Sequence, residues 1–235
     1  MHTVLDLRGS IPDSIYITNS RYHDSNYLDE YEPYKWAIYT MDKAYVDFEA
    51  LYRMQVNETY FVTRAKNTMK YEVIDTNYNI NDLVGIVGDQ TIHLSGYISE
   101  KKYPEDFRLV KYYDTDKDEV ISFITNNMEL GPLVIANIYR NRWAIETFFK
   151  WIKGNLTIKS LWGYSENAVK IHLWVAISSY LMLAWVKAEL KSPLTITEIS
   201  KVIEASILSK ADIRELLDVP EPLTQNQNVN ELLLF

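Results

Sequence analysis

The 235-residue sequence contains no cysteine, so disulfide bonds and thiolate metal sites are excluded. Its four histidines lack the spacing of zinc ligands. Glycine occurs only seven times, which leaves no flexible glycine-rich linker. The first ten residues lack the basic-then-apolar pattern of a signal peptide. The longest apolar run, residues 173–186, is shorter than the 18 or more residues of a typical membrane span. We therefore expect a cytoplasmic protein without a membrane partner.

Basic residues are also in the minority, with 24 lysines and arginines against 32 acidic residues and a net charge of −8. This balance argues against a surface that binds nucleic acid everywhere. The charge is uneven, however, because residues 131–175 contain six basic and two acidic side chains. Residues 1–50 have the opposite bias, with nine acidic and four basic side chains. Any contact with DNA is therefore expected on a local patch.

One stretch, residues 137–156, combines an apolar stripe with a regular polar pattern. On a single α-helix its recurring polar residues would occupy an arc of about 60°, with two further side chains beside them. A carboxylate among bases on one face can hold a divalent metal while the bases bind phosphates. The alternative is the ordinary charged face of an amphipathic helix. The recurring residues are Tyr139, Arg142, Glu146 and Lys153, and the two beside them are Trp143 and Lys150.

The rest of the chain predicts a mixed α/β fold. Apolar alternation indicates a hairpin in residues 2–20, a buried strand at 36–41 and another strand at 58–66. Residues 67–120 read as short strands with turns, and a further strand follows at 119–127. Helices are predicted at 46–55 and, mostly buried, at 165–190, with two short helices after Pro193.

Asp42 follows the strand at 36–41 directly. Ligands of open α/β sheets gather at the carboxyl ends of strands, so an aspartate here is well placed to bind a metal. The alternative is that Asp42 caps a turn or a helix, which is the commoner role of aspartate at such a position.

The spacing Y-x2-R-x3-E-x6-K resembles the signature of bacterial insertion-sequence transposases of the DDE type, specifically the insertion-sequence-4 family. The resemblance implies a ribonuclease-H-like core that cleaves DNA and transfers its strands during transposition. It implies that Glu146 and Asp42 are catalytic carboxylates and ligands of Mg²⁺ or Mn²⁺. The implied partners are transposon-end DNA and target DNA, and a homodimer is a further partner that the family allows.

The same resemblance assigns DNA contacts beyond the carboxylates. Tyr139, Arg142 and Lys153 match the residues that contact phosphates at the transposon end, and Trp143 and Lys150 share their face. Residues 58–66 look like the next strand of the family, in which Arg64 and Lys66 face the DNA backbone. For Arg64 and Lys66, ordinary exposed bases at the end of a strand remain the alternative.

The resemblance also implies a division of the chain. Residues 1–66 and 121–190 match two parts of the core, residues 67–120 match a β-rich insertion, and residues 191–235 form C-terminal helices and a tail. In the family the first catalytic aspartate precedes the segment HTVLDLRG, which here follows Met1 directly. We therefore expect an N-terminally truncated core, because Asp6 matches the second strand and not the first. The alternative function is an inactive remnant that binds DNA or a full-length copy.

Overall fold

The structure is a computed structural model that describes residues 1–18, 27–80, 84–155, 165–206, 208 and 211–217. The chain divides into two compact units. The first unit comprises Met1–Leu7 with Asp13–Glu146, and the second comprises Arg8–Pro12 with Thr147–Phe235. Part of the predicted C-terminal segment, residues 218–235, lies outside the described residues.

The first unit is built on a six-stranded sheet, which confirms the predicted mixed α/β class. Its order is β3-β4-β8-β7-β6-β5, with β3 and β4 parallel and the other neighbours antiparallel. The predicted N-terminal hairpin forms a separate two-stranded sheet. The strands are β1 (His2–Asp6), β2 (Ile11–Tyr16), β3 (Ile38–Met41), β4 (Tyr60–Arg64), β5 (Tyr71–Thr76), β6 (Ile86–Leu94), β7 (Phe107–Asp114) and β8 (Glu119–Thr125).

Helices cover both faces of the six-stranded sheet, because neighbouring apolar residues of its strands point to opposite sides. Phe61 of β4 packs in a cluster with the helix α2 (Phe48–Val56), whereas Val62 packs in a second cluster with the helix α4 (Pro132–Asn141). Both clusters are buried, so the strands are apolar on two faces, as expected for a sheet between layers of helices. The helices of this unit are α1 (Tyr27–Glu30), α2 (Phe48–Val56), α3 (Tyr97–Lys102) and α4 (Pro132–Asn141).

The strands of residues 67–120, predicted as a β-rich insertion, continue the same sheet as β3 and β4. The helix α3 within this range was not predicted, because its six residues are too few to show a clear helical period. The boundaries of the insertion within the family's common fold stay a prediction.

A buried ion pair ties β6 and β7 to the turn before α4. Arg108 donates from Nε to Oδ1 of Asp89 over 2.7 Å and from Nη2 to Oδ2 over 2.8 Å. Its remaining nitrogen, Nη1, donates to the backbone oxygens of Asn127 and Leu130. Asn77 donates a further hydrogen bond of 2.8 Å to Asp89. The two charges are therefore almost completely satisfied inside the protein.

From Thr147 onward the described residues of the second unit are mainly helical. The helices are α5 (Trp143–Asn155), whose first four residues belong to the first unit, α6 (Glu166–Leu190), α7 (Ile196–Ser206) and α8 (Ile213–Leu216). Tyr180 of α6 packs between Phe148 and Trp151 of α5, with ring centroids 4.9 and 5.2 Å away. A second cluster joins α6 to α7 through Leu190 and Ile199.

The long helix was predicted at nearly its observed position, and Ser165 caps it by accepting a hydrogen bond from the backbone of Ala168. The prediction that this helix is mostly buried is wrong. Only one side of α6 is buried, and a row of large apolar side chains on the other side is exposed. By length and composition alone α6 could cross a bilayer. The absence of a membrane partner and the cytoplasmic location stay predictions.

Candidate catalytic and DNA-binding site

Asp42 lies at the carboxyl end of β3, as predicted. Met41 pairs with Thr63 in parallel register, so Asp42 comes level with Arg64 at the same edge of the sheet. Its Oδ1 also accepts a hydrogen bond of 3.1 Å from the backbone of Ala44 and caps the 3-10 turn Lys43–Tyr45. Asp42 therefore caps a turn and also lies at the edge of the sheet where ligands are expected to bind.

Tyr139 is held against the sheet in the last turns of α4. Its ring lies 4.8 Å from that of Phe123 on β8, and both belong to the cluster that packs α4 on this face. Burial raises the pKa of Tyr139, and the charge of Asp42 raises it further, while Arg142 and Arg64 act in the opposite direction. Asp42, Arg64 and Arg142 therefore each lie within electrostatic range of Tyr139.

Arg142 occupies a tight junction between α4 and α5. Its backbone nitrogen donates to Tyr139 over 3.0 Å, and Ile145 donates to the carbonyl of Arg142 over 3.1 Å, so both bonds span three residues. The prediction of one continuous helix through residues 137–156 is therefore wrong. No proline or glycine marks the junction, so the sequence carries no signal for it.

Tyr139, Arg142 and Glu146 do not share the face of one helix, but direct contacts still bring them together. Arg142 donates from Nη2 to Oε1 of Glu146 over 2.7 Å, and its guanidinium carbon lies 5.5 Å from the ring of Tyr139. Burial on its own lowers the pKa of Arg142, but Glu146, Tyr139 and Asp42 together raise it above its ordinary value. Arg142 thus responds to both proposed carboxylates, and it stays charged.

The other predicted DNA contacts have different surroundings. Arg64 pairs with Glu119 over 3.3 Å, and Lys66 donates to the backbone oxygen of Val46 over 2.7 Å. Trp143 is exposed at the start of α5. Lys150 and Lys153 are exposed four and seven residues after Glu146, in the part of α5 that belongs to the second unit. The role of all five in binding DNA stays a prediction.

The carboxylates of the site do not complete a two-metal centre. Within the described ranges no group of three or more aspartate, glutamate or histidine side chains could hold a metal ion. Asp6 ends β1, in the separate two-stranded sheet. Asp42 and Glu146 each use one oxygen in a hydrogen bond to the protein. Two carboxylates can supply part of a site for a divalent ion, whereas a pair of ions needs bridging ligands from more groups.

The chain was compared with known proteins, and a family model described as the transposase DDE domain matches residues 1–182. The chain belongs to the DDE transposase family. A putative transposase of Sinorhizobium fredii is 29% identical to it over 186 residues, which cover 78% of the chain and 52% of the relative. A probable insertion-sequence transposase of Geobacillus stearothermophilus is 27% identical over 192 residues, or 81% and 50% of the two chains. A putative insertion-sequence transposase of Synechocystis is 31% identical over 182 residues, or 76% and 50%.

These matches confirm the predicted family, the DDE transposases of insertion sequences. The mixed sheet and the helices of this chain agree with a ribonuclease-H-like core. DNA as the substrate and dependence on a divalent metal stay predictions for this chain. The narrower insertion-sequence-4 group and the N-terminal truncation stay predictions. The chain spans about half the length of the curated relatives it matches.

Proposed function

We propose that this DDE transposase chain supplies Asp42 and Glu146 to a site for DNA strand cleavage and transfer at insertion-sequence ends. The observation that supports this proposal is the position of Arg142, which is hydrogen-bonded to Glu146 and also responds to the charge of Asp42. Glu146 is in direct contact with this guanidinium, and the charge of Asp42 acts to raise the pKa of Arg142, which supports a common location of the two carboxylates. A structural role for Arg142 alone would explain its bond to Glu146 but not the nearby strand-end carboxylate.

Arg142 also supplies a positive charge to the site that the two carboxylates are proposed to share. Like charges held close together raise the pKa of one of them, because ionising both costs electrostatic energy. A partly buried cation that is hydrogen-bonded to Glu146 offsets part of that cost and orients the Glu146 side chain. In the proposed function Mg²⁺ or Mn²⁺ binds to these carboxylates and supplies charge stabilisation to the reacting phosphate.

Basic side chains of each unit are proposed to contact the DNA backbone. The Tyr139 hydroxyl, Arg64 and Lys66 are assigned to the first unit, and Lys150 and Lys153 to the exposed side of α5. Lysine and arginine that contact phosphates supply affinity without sequence preference, whereas exposed Trp143 offers a surface on which a base can stack. Terminal DNA of the element and target DNA are the proposed ligands.

We propose further that the 235-residue chain binds such DNA but does not cleave it alone. Each anionic ligand missing from a Mg²⁺ or Mn²⁺ site lowers affinity and loosens the geometry that in-line phosphoryl transfer needs. The observation that favours this second function is that only two carboxylates surround Arg142 in the described contacts. The chain would then bind element ends or act together with a full-length copy.

The test combines binding and nicking of labelled DNA that carries the ends of the element, in Mn²⁺. We expect binding that weakens with salt, and no nicks from the chain alone. Glu146→Gln should lower the Mn²⁺ affinity measured by electron paramagnetic resonance. The control Glu204→Gln, which changes an exposed side chain of α7, should leave this affinity unchanged. Absence of DNA binding would refute the proposed function. Nicking that disappears in Asp6→Asn would show that Asp6 is the missing catalytic carboxylate.

A further inference from the structure

The exposed side of α6 carries a continuous apolar stripe. Its large members lie on an arc of about 120° when placed at 100° per residue, and they are Ile171, Trp174, Val175, Leu181, Met182 and Trp185. No charged residue occurs between Lys170 and Lys187. The opposite side of α6 is occupied by its packing against α5 and α7. The stripe is therefore a surface separate from the internal core of the second unit.

We infer that this stripe binds the same stripe of a second copy of the chain, with the two α6 helices antiparallel. The stripe shares no residue with the proposed DNA site, and the inference does not depend on that function.

The spacing of the stripe favours another helix as the occupant. Ile171, Trp174, Ser178, Leu181 and Trp185 repeat at intervals of three and four residues. A seam with this repeat packs against a second helix with the same repeat, side chains of one fitting between those of the other. Because both copies carry the same seam, the contact closes on a two-fold axis and forms a dimer.

Volume complementarity selects the antiparallel arrangement, centred on Ser178. In that register Trp185 lies opposite Ile171 of the second copy and Trp174 lies opposite Met182, so large side chains meet smaller ones. Ser178 meets its own copy at the axis, where a small side chain lets the helices approach closely. A parallel pair would instead place each tryptophan against its own copy in the same layer.

The charge of a residue near the C-terminal end of α6 also favours the antiparallel arrangement. Glu189 is exposed on the side of the stripe, and the antiparallel register brings it beside Asn167 in the first turn of the other α6. A carboxylate is stabilised near a helix N-terminus by the partial positive charge there. In a parallel pair the two Glu189 side chains would lie at the same level and repel each other.

The exposed area is sufficient for a stable dimer. Interfaces of standard size bury roughly 800 Å² on each partner. Six large apolar side chains, two of them tryptophans, are between 36% and 68% exposed along α6 and supply most of that area. Tryptophans are also among the residues that contribute most to the binding energy of an interface.

A lipid bilayer fits the same helix less well. Tyr180, on the buried side of α6, packs between two aromatic residues of α5, and its hydroxyl donates to the carbonyl of Ser10 over 2.8 Å. The same α5 exposes Lys150 and Lys153 to solvent. Inserting α6 would either break this packing or bring the two lysines into hydrocarbon, which is costly.

Sedimentation equilibrium of the full chain tests the inference, with Trp185→Ala as the variant and Trp36→Ala as the matched control. Both tryptophans are 65% exposed, and Trp36 belongs to the first unit. Loss of one tryptophan buried in an interface weakens it about 30-fold, and two-fold symmetry applies the loss twice, so the dimer Kd should rise about 1000-fold. A monomeric wild type, or equal effects of the two variants, overturns the inference.

A cross-link tests the antiparallel register, since the chain has no cysteine of its own. Ser178→Cys should form a disulfide-linked dimer on oxidation, because the two thiols meet at the axis. Ser179→Cys, one residue on and also exposed, should stay monomeric in denaturing gels. Equal cross-linking of the two variants overturns the register. Flotation of the wild type with phosphatidylcholine vesicles, lost in Trp185→Ala, would show that a bilayer covers the stripe and overturn the inference.

Discussion

Replacing Arg108 with methionine removes the cation of the buried pair while keeping a side chain of similar length. In the native protein the side chains of Arg108 and Asp89 are 9% and 3% exposed. After the change the Asp89 carboxylate keeps only the hydrogen bond from Asn77, and the backbone oxygens of Asn127 and Leu130 lose their donor. Removing one partner of a buried ion pair costs about 3–5 kcal/mol, a large part of the stability of an ordinary domain.

The double variant Arg108→Met/Asp89→Leu separates an uncompensated charge from a lost contact. Replacing both partners by apolar residues removes the buried charge, so the double variant should be more stable than Arg108→Met. It should still be less stable than the wild type by about 1–3 kcal/mol, because the backbone oxygens near Asn127 stay unpaired. The single variants Arg108→Met and Asp89→Leu complete the comparison. A loss of stability in the double variant equal to the sum of their two losses would show that the two side chains do not interact.

Hydrogen exchange at the amides of β6 and β7 is the suitable measurement, because a chain of two units need not unfold in one step. Arg108→Met should raise exchange in β6 and β7 and leave α7 unchanged. Unchanged exchange in β6 and β7 would refute the energetic argument.

The pH dependence of the same experiment has a defined sign. Burial acts to raise the pKa of Asp89, but the hydrogen bonds from Arg108 and Asn77 and the charge of Arg108 lower it below the ordinary 3.8. The pair therefore stabilises the fold fully above pH 3.8, and this contribution is lost as the pH falls through the lower folded value. In Arg108→Met burial dominates, so protonation relieves the buried charge. The deficit of the variant should shrink on acidification.

Further predictions concern the site and α6. Lys153→Ala should reduce the slope of log affinity against log salt for element-end DNA by about one unit, and Lys201→Ala should leave it unchanged. An unchanged slope in Lys153→Ala would make this lysine an ordinary surface base. Ser165→Ala should lower the free energy of unfolding of α6 by about 1 kcal/mol, measured by urea denaturation, because the N-cap is lost.

Local patterns were sufficient to predict the elements that carry the site. The strand before Asp42 and its acidic end could be predicted from the apolar residues that precede Asp42. The prediction that this strand is buried is wrong, because β3 lies at the edge of the sheet and only Met41 in it is buried. The helix ending at Leu190 could be predicted because a serine cap and a long apolar run mark it. The spacing of Arg142 and Glu146 is that of neighbours on a helix surface, and they are in contact despite the junction between helices.

Features that depend on distant parts of the chain could not be predicted. The pairing of Arg108 with Asp89 arises from the register of β6 and β7, which brings Asp89 opposite Val110 and Gln90 opposite Leu109. The exposure of the α6 stripe depends on which neighbours cover the helix, whereas its sequence shows only that it is apolar. The junction at Arg142 has αR backbone angles, so no residue preference marks it.

The buried pair and the proposed site are linked through α4. Asn127, whose carbonyl accepts from Arg108, also holds the turn into α4 by accepting from the backbone of Leu130 over 2.8 Å. The helix then presents Tyr139 and the junction at Arg142, which orients Glu146. Because catalytic groups must be placed to within a fraction of an ångström, loosening this turn should reduce function without touching any carboxylate. Arg108→Met should therefore weaken Mn²⁺ binding even at temperatures where the first unit stays folded, whereas a change confined to α7 should not.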